Sequence, residues 1–173
     1  MWSLALSGAA ITLLEPVPHD AITIQAAIDG AGSMGPPTLG ISIQPHENLA
    51  PTIISFFRRT TVEGGRQSSS WTAVLQSPST GSPSERVESG SCQGLDVQIE
   101  AIGTLPPPSL LSPPDPRPPV AVVGAPLYTV WGRSRQDAGG SQITRVTTST
   151  GPYSAWSRDV VAVLEACLDA ARP

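Results

Sequence analysis

The sequence predicts an α+β domain: an antiparallel sheet with two helices packed on one face. Two observations carry this expectation. Short runs with alternating apolar residues, such as Ile22–Ile24 and Ile41–Ile43, read as half-buried strands separated by proline and glycine. Only two stretches hold the helical repeat over several turns, and the strands follow one another instead of alternating with helices. That order favours antiparallel pairing with the helices segregated to one face.

A chain of 173 residues suits a single domain, here 1–173, that buries about 70% of its unfolded surface. The hydrophobic fraction of 39% is enough for a core, and the charged fraction of 14% is low against the roughly 25% of ordinary soluble domains. With 16 glycines and 19 prolines the chain is loop-rich, yet below the level that marks low complexity.

Taken in order, the expected strands are Ala9–Leu14, Ala21–Ile28, Thr38–Ile43, Thr52–Thr61 and Ser70–Gln76. Pro16, Pro18, Pro36, Pro37, Pro45 and Pro51 fall between them, where a missing backbone N–H does no harm. The Ser/Gly/Pro stretch from Gln76 to Gly90 reads as a surface loop. A helix starts near Cys92, capped by Ser89 or Ser91, with the apolar stripe Cys92–Leu95–Ile99–Ile102, and stops at Gly103. Residues 105–119 carry eight prolines and cannot form a helix or a central strand; they read as a polyproline strap across the surface. A hairpin follows, Val120–Arg133 and Ser141–Ser149 around a turn at Asp137–Gly140. The last helix, from about Pro152 to Ala171, carries the stripe Trp156–Val160–Val163–Leu164–Cys167.

The two cysteines thus lie on the inward stripes of the two helices. If those helices share a core, Cys92 and Cys167 pair as a disulfide, which places the chain in an oxidising compartment, periplasmic or secreted, and otherwise in the cytoplasm. The apolar start, Trp2–Leu14, is too short to span a bilayer and lacks the basic start and cleavage site of a signal peptide. It reads as a strand, or as a mature or trimmed start.

All ten basic residues are arginine, which excludes lysine Schiff-base chemistry and a phosphate-loop lysine. A net charge of −4 argues against general nucleic-acid binding. The segment Gly30-Ala31-Gly32-Ser33-Met34-Gly35 spells the dinucleotide fingerprint, but Pro36-Pro37 follows where the phosphate-binding helix must begin. Gly90-Ser91-Cys92-Gln93-Gly94 spells a cysteine nucleophile elbow, with His46 or His19 as its base, but a polar loop precedes it in place of a buried strand. Two histidines and two cysteines have no familiar zinc spacing, so no metal or cofactor is implied. Asp96 and Glu100 share a helix face that looks onto water and make poor acid–base partners.

Trp131, Arg133 and Arg135 alternate along one strand and so share a face, with Arg145 across the hairpin. This group reads either as a solvated face with an Arg–Trp contact or as a small-anion site, since guanidinium forks match carboxylate and phosphate. The run from Ser91-Cys92 to Leu105-Pro106, the Tyr128–Trp131 strand and the final helix from Ala155-Trp156 to Cys167 resemble a group of uncharacterised small exported two-cysteine proteins of alphaproteobacteria. The resemblance implies an exported, disulfide-bonded protein and brings no activity. The sequence therefore leads to a non-enzymatic exported or envelope-associated interaction protein with a possible protein partner. A small-anion binding domain and a cysteine-dependent hydrolase stand as alternatives.

Overall fold

Alternation along Leu39–Gln44 sends Leu39, Ile41 and Ile43 to one side of a strand and Gly40, Ser42 and Gln44 to the other. This strand, β1, is central in a six-stranded sheet. The computed structural model describes residues 27, 34–45, 49–76, 84–107, 124–135 and 141–172. The other strands are β2 (Thr52–Glu63), β3 (Arg66–Gln76), β4 (Glu85–Glu88), β5 (Leu127–Arg135) and β6 (Ser141–Thr148). Their order is β4-β3-β2-β1-β5-β6, and every pairing is antiparallel. Two helices, α1 (Leu95–Glu100) and α2 (Pro152–Ala171), pack on one face, as the sequence predicts.

The main core lies between that face and the helices. Ile41, Ile54, Phe56, Trp71, Ala73, Val87 and Val130 from the sheet meet Leu95, Ile99, Trp156, Val160 and Leu164 from the helices. Helix α2 begins just after edge strand β6, and Arg172 beyond its end pairs with Glu85 on the opposite edge strand at 3.3 Å. Twenty residues of helix span about 30 Å, and six strands about 4.8 Å apart span about 24 Å. One helix is therefore long enough to cross the whole sheet. Ser154 and Ser157 are fully buried on α2 and donate to the carbonyls of Gly151 and Tyr153, so their hydroxyls are satisfied within the helix. Trp156 Nε1 donates to the Gln98 carbonyl at 2.7 Å and ties α2 to α1.

Several boundaries differ from the sequence reading. Helix α1 begins at Leu95, after Gly94 with φ of 85°, and neither Ser89 nor Ser91 caps it. Ser89 instead bonds mid-strand Trp71, accepting from its N–H at the hydroxyl and donating its own N–H to the Trp71 carbonyl, which prolongs the β3–β4 pairing past Glu88. Cys92 sits in the turns between β4 and α1, yet faces the core as its stripe requires. A 3-10 turn, Ala101–Thr104, completes the short helix. Part of the expected loop from Gln76 to Gly90 is strand β4, because Val87 fills the core beside Ala73. Strands β2 and β3 run on to meet at Gly64-Gly65. Ala27 is helical where a strand was expected; the rest of Ala21–Ile28, except that residue, and all of Ala9–Leu14 lie outside the described residues. So does the strap from 108 to 119. Its described start is fixed: Leu105 packs against the core, and the Tyr153 hydroxyl donates to the Pro106 carbonyl at 3.1 Å.

Candidate functional site

Cys92 and Cys167 are joined by a disulfide that links residues 75 apart in sequence, with their Cα atoms 5.5 Å apart. It staples the turn before α1 to the last turns of α2, and Cys92 is buried at its centre. A sulfur in this bond has no thiolate to offer, so in this state the elbow-like segment around Cys92 is structural. His46 and His19 lie outside the described residues. The described end of the glycine motif, Met34-Gly35, leads through Pro36-Pro37 into β1 without a helix. Among the described residues, no three His, Cys, Asp or Glu side chains gather as a metal site. No described helix is long and apolar enough to cross a membrane.

The alternation along β5 puts Trp131 and Arg133 on the face away from α1 and α2, with Arg135 in the same register. Arg145 on β6 is directly opposite Trp131, Ile143 opposite Arg133, and Ser141 opposite Arg135. Arg133 Nη1 donates to Ser141 Oγ at 2.9 Å, and Arg145 is exposed. Trp131 itself is only 1% exposed, packed with Ile53 and Ala27. Its ring lies across Gly40, the residue paired with it on β1. A Cβ there would fall 2.0 Å from the ring, so glycine is required by close approach. The tryptophan is a covered packing element and presents no open aromatic floor beside these arginines. An Arg–Trp contact of the expected kind does occur elsewhere: the Arg58 guanidinium lies 5.8 Å from the centre of the Trp71 ring.

That contact marks the root of a feature absent from the sequence reading. Strand β1 pairs with β2 only from Thr52 to Phe56, and β4 pairs with β3 only from Thr72 to Leu75. Beyond these residues β2 and β3 continue as a ribbon of two strands, and every residue from Arg58 to Ser70 is exposed. Six residues of extended strand, Arg58 to Glu63, project about 20 Å. Gly64 and Gly65, with φ of 55° and 79°, close the ribbon by a two-residue turn whose twist matches its strands. Thr61 and Ser68 hydroxyls bond at 2.7 Å, and Arg58 donates to Ser69 Oγ at 3.1 Å. The arm carries Arg58, Arg59 and Arg66 against the single acid Glu63, a basic element on a chain of net charge −4.

At the other end of the sheet a cleft of about 360 Å³ opens beside α2. Ile43, Ile54, Leu75 and Tyr128 contribute from four neighbouring strands, and Arg158, Val161 and Glu165 from one side of the helix. The opposite side of α2 is occupied by α1 and the disulfide. Ordinary sequence signals do not show this cleft, because its lining residues belong to five separate elements.

No family model, curated protein or solved structure matches the chain.

Proposed function

We propose that the protein is a non-enzymatic interaction protein of the periplasm or extracellular space, and that the arm Arg58–Ser70 engages an acidic partner. Membership of the group of small exported two-cysteine proteins is part of the same proposal. The arm carries the reading. A polar ribbon that buries no apolar side chain adds little to a core, so its length is better explained by contacts outside the chain. Its outer edges, from Phe57 on β2 and before Trp71 on β3, have no strand partner among the described residues. An extended segment can add to such an edge through backbone hydrogen bonds, while the three arginines favour carboxylates and speed encounter. The disulfide is consistent with an oxidising compartment, where such bonds persist.

The test is binding of a polyglutamate peptide to the oxidised protein at low and physiological salt. Polyglutamate should bind, weaken with salt as screening requires, and lose roughly tenfold in affinity in the double variant Arg59→Glu/Arg66→Glu, about 1.4 kcal/mol. Both positions are exposed, so the variant should keep the melting temperature. Equal affinity in wild type and variant sinks the arm reading. Turnover by wild-type protein in a hydrolase substrate screen, lost on His46→Ala without a change in melting temperature, sinks the non-enzymatic one.

A further inference from the structure

We infer that the cleft beside α2 is a binding site for a small amphipathic monocarboxylate, with the carboxylate at Arg158 and the apolar tail over the floor of the sheet. The inference is independent of the arm. The volume, about 360 Å³, falls within the range of small-molecule sites, which starts near 300 Å³. The floor is apolar and drawn from rigid strands: Ile54 is buried in the core, and Ile43 and Leu75 pack against it while also lining the cleft. Burying a short alkyl or aryl tail there is favourable by the same transfer that builds the core.

Charge sets the orientation. Arg158, Val161 and Glu165 recur at helical spacing along one side of α2, so the arginine and the glutamate stand about 10 Å apart along the helix axis. Helix α2 starts beside β6 and ends beside β4, which puts Arg158 toward the β5 side with Tyr128 and Glu165 toward the β3 side with Leu75. Arg158 forms no ion pair with a described residue; those of the neighbouring region are Arg172 with Glu85 and Asp169. Arg158 and Tyr128 both line the cleft, and a guanidinium fork is suited to a carboxylate. Glu165 at the far end opposes a second carboxylate, so the cleft selects one acid group over two.

The experiment is an NMR titration of the isotope-labelled oxidised protein with octanoate, octanol and suberate, the last being an acid at both ends. Octanoate should shift the amides of Ile43, Leu75, Tyr128 and Val161 and bind about tenfold more tightly than octanol, the worth of one charged hydrogen-bonded contact. Suberate should bind more weakly than octanoate, and Glu165→Gln should restore much of that loss. Arg158→Gln, an exposed position that leaves the fold intact, should bring octanoate down to the affinity of octanol. Shifts that map elsewhere, no octanoate binding into the millimolar range, or an unchanged preference for octanoate in Arg158→Gln would each overturn the assignment.

Discussion

The two halves of the β2–β3 hairpin share one unbroken ladder, from Ile53↔Gln76 to Glu63↔Arg66, yet they are held in different ways. In the inner half, Ile54, Phe56, Trp71 and Ala73 are buried under the helices, and β1 and β4 flank the pair. In the outer half, neither flank has a strand partner among the described residues, and no residue from Arg58 to Ser70 is buried. The backbone hydrogen bonds are alike, so the difference isolates what packing adds. A two-stranded ribbon alone is at best marginally stable in water. The arm therefore depends on its turn, on the hydroxyl pair Thr61–Ser68, and on its anchorage to the inner half.

The largest expected effect acts on the inner half alone. Replacing both cysteines, Cys92→Ala/Cys167→Ala, opens a loop of 75 residues and should lower global stability by about 4 kcal/mol on the chain-entropy model. Amide hydrogen exchange separates the halves. Ile54 and Ala73 should lose protection by the full global amount, because their bonds break only when the core opens. Thr61 and Ser68, a hydrogen-bonded pair of the ribbon, should exchange by local fraying at the wild-type rate. Equal loss of protection in both halves would show that the arm and the core are one cooperative unit.

An intermediate effect should come from the turn. Gly65 has φ of 79°, a left-handed conformation that costs an L-residue roughly 1–2 kcal/mol. Gly65→Ala should therefore speed exchange of the Glu63 and Arg66 amides, the hydrogen-bonded pair beside the turn, about tenfold and leave Ile54 and Ala73 unchanged. No change at Glu63 would mean the ribbon is held from its root and not from its tip.

The contrast between the halves also explains what could be read from the sequence. The inner strands, the β5–β6 hairpin and the ends of α2 are marked by apolar periodicity and by Pro152, and the fold class and the disulfide follow from those marks. The outer arm has no apolar alternation, since nothing packs on it. Its one signal was Gly64-Gly65 between β-branched and polar residues, a two-residue hairpin turn. Strand β4 was hidden because four residues with a single buried side chain, Val87, carry no period. Ser154 and Ser157 escaped the core reading because their hydroxyls are satisfied by their own helix. At the candidate sites, strand alternation correctly put Trp131, Arg133 and Arg145 on one face. It did not show that Trp131 is covered, because Gly40, Ile53 and Ala27 reach it from distant parts of the chain.

The smallest expected effect tests the joint between the halves. Arg58 is the first exposed residue of the arm on β2, and Trp71, paired with it, is the last buried residue of the core on β3. The guanidinium covers the outer face of the indole at 5.8 Å from its centre and reaches Ser69 Oγ, so one side chain bridges the core boundary and the ribbon. An exposed cation–π contact contributes about 0.5–1 kcal/mol. Arg58→Gln should cost about that much in chemical denaturation and shift the indole N–H resonance of Trp71. Arg58→Lys keeps the charge but loses the planar stacking surface, and should fall between the two. Exchange at Ser68 and Thr61 should rise in Arg58→Gln more than at Ile54, since the arm loses its tether while the core loses only a cover over one edge. If instead Ile54 and Ser68 respond equally, Trp71 is the true root of the arm and the arginine merely rests on it.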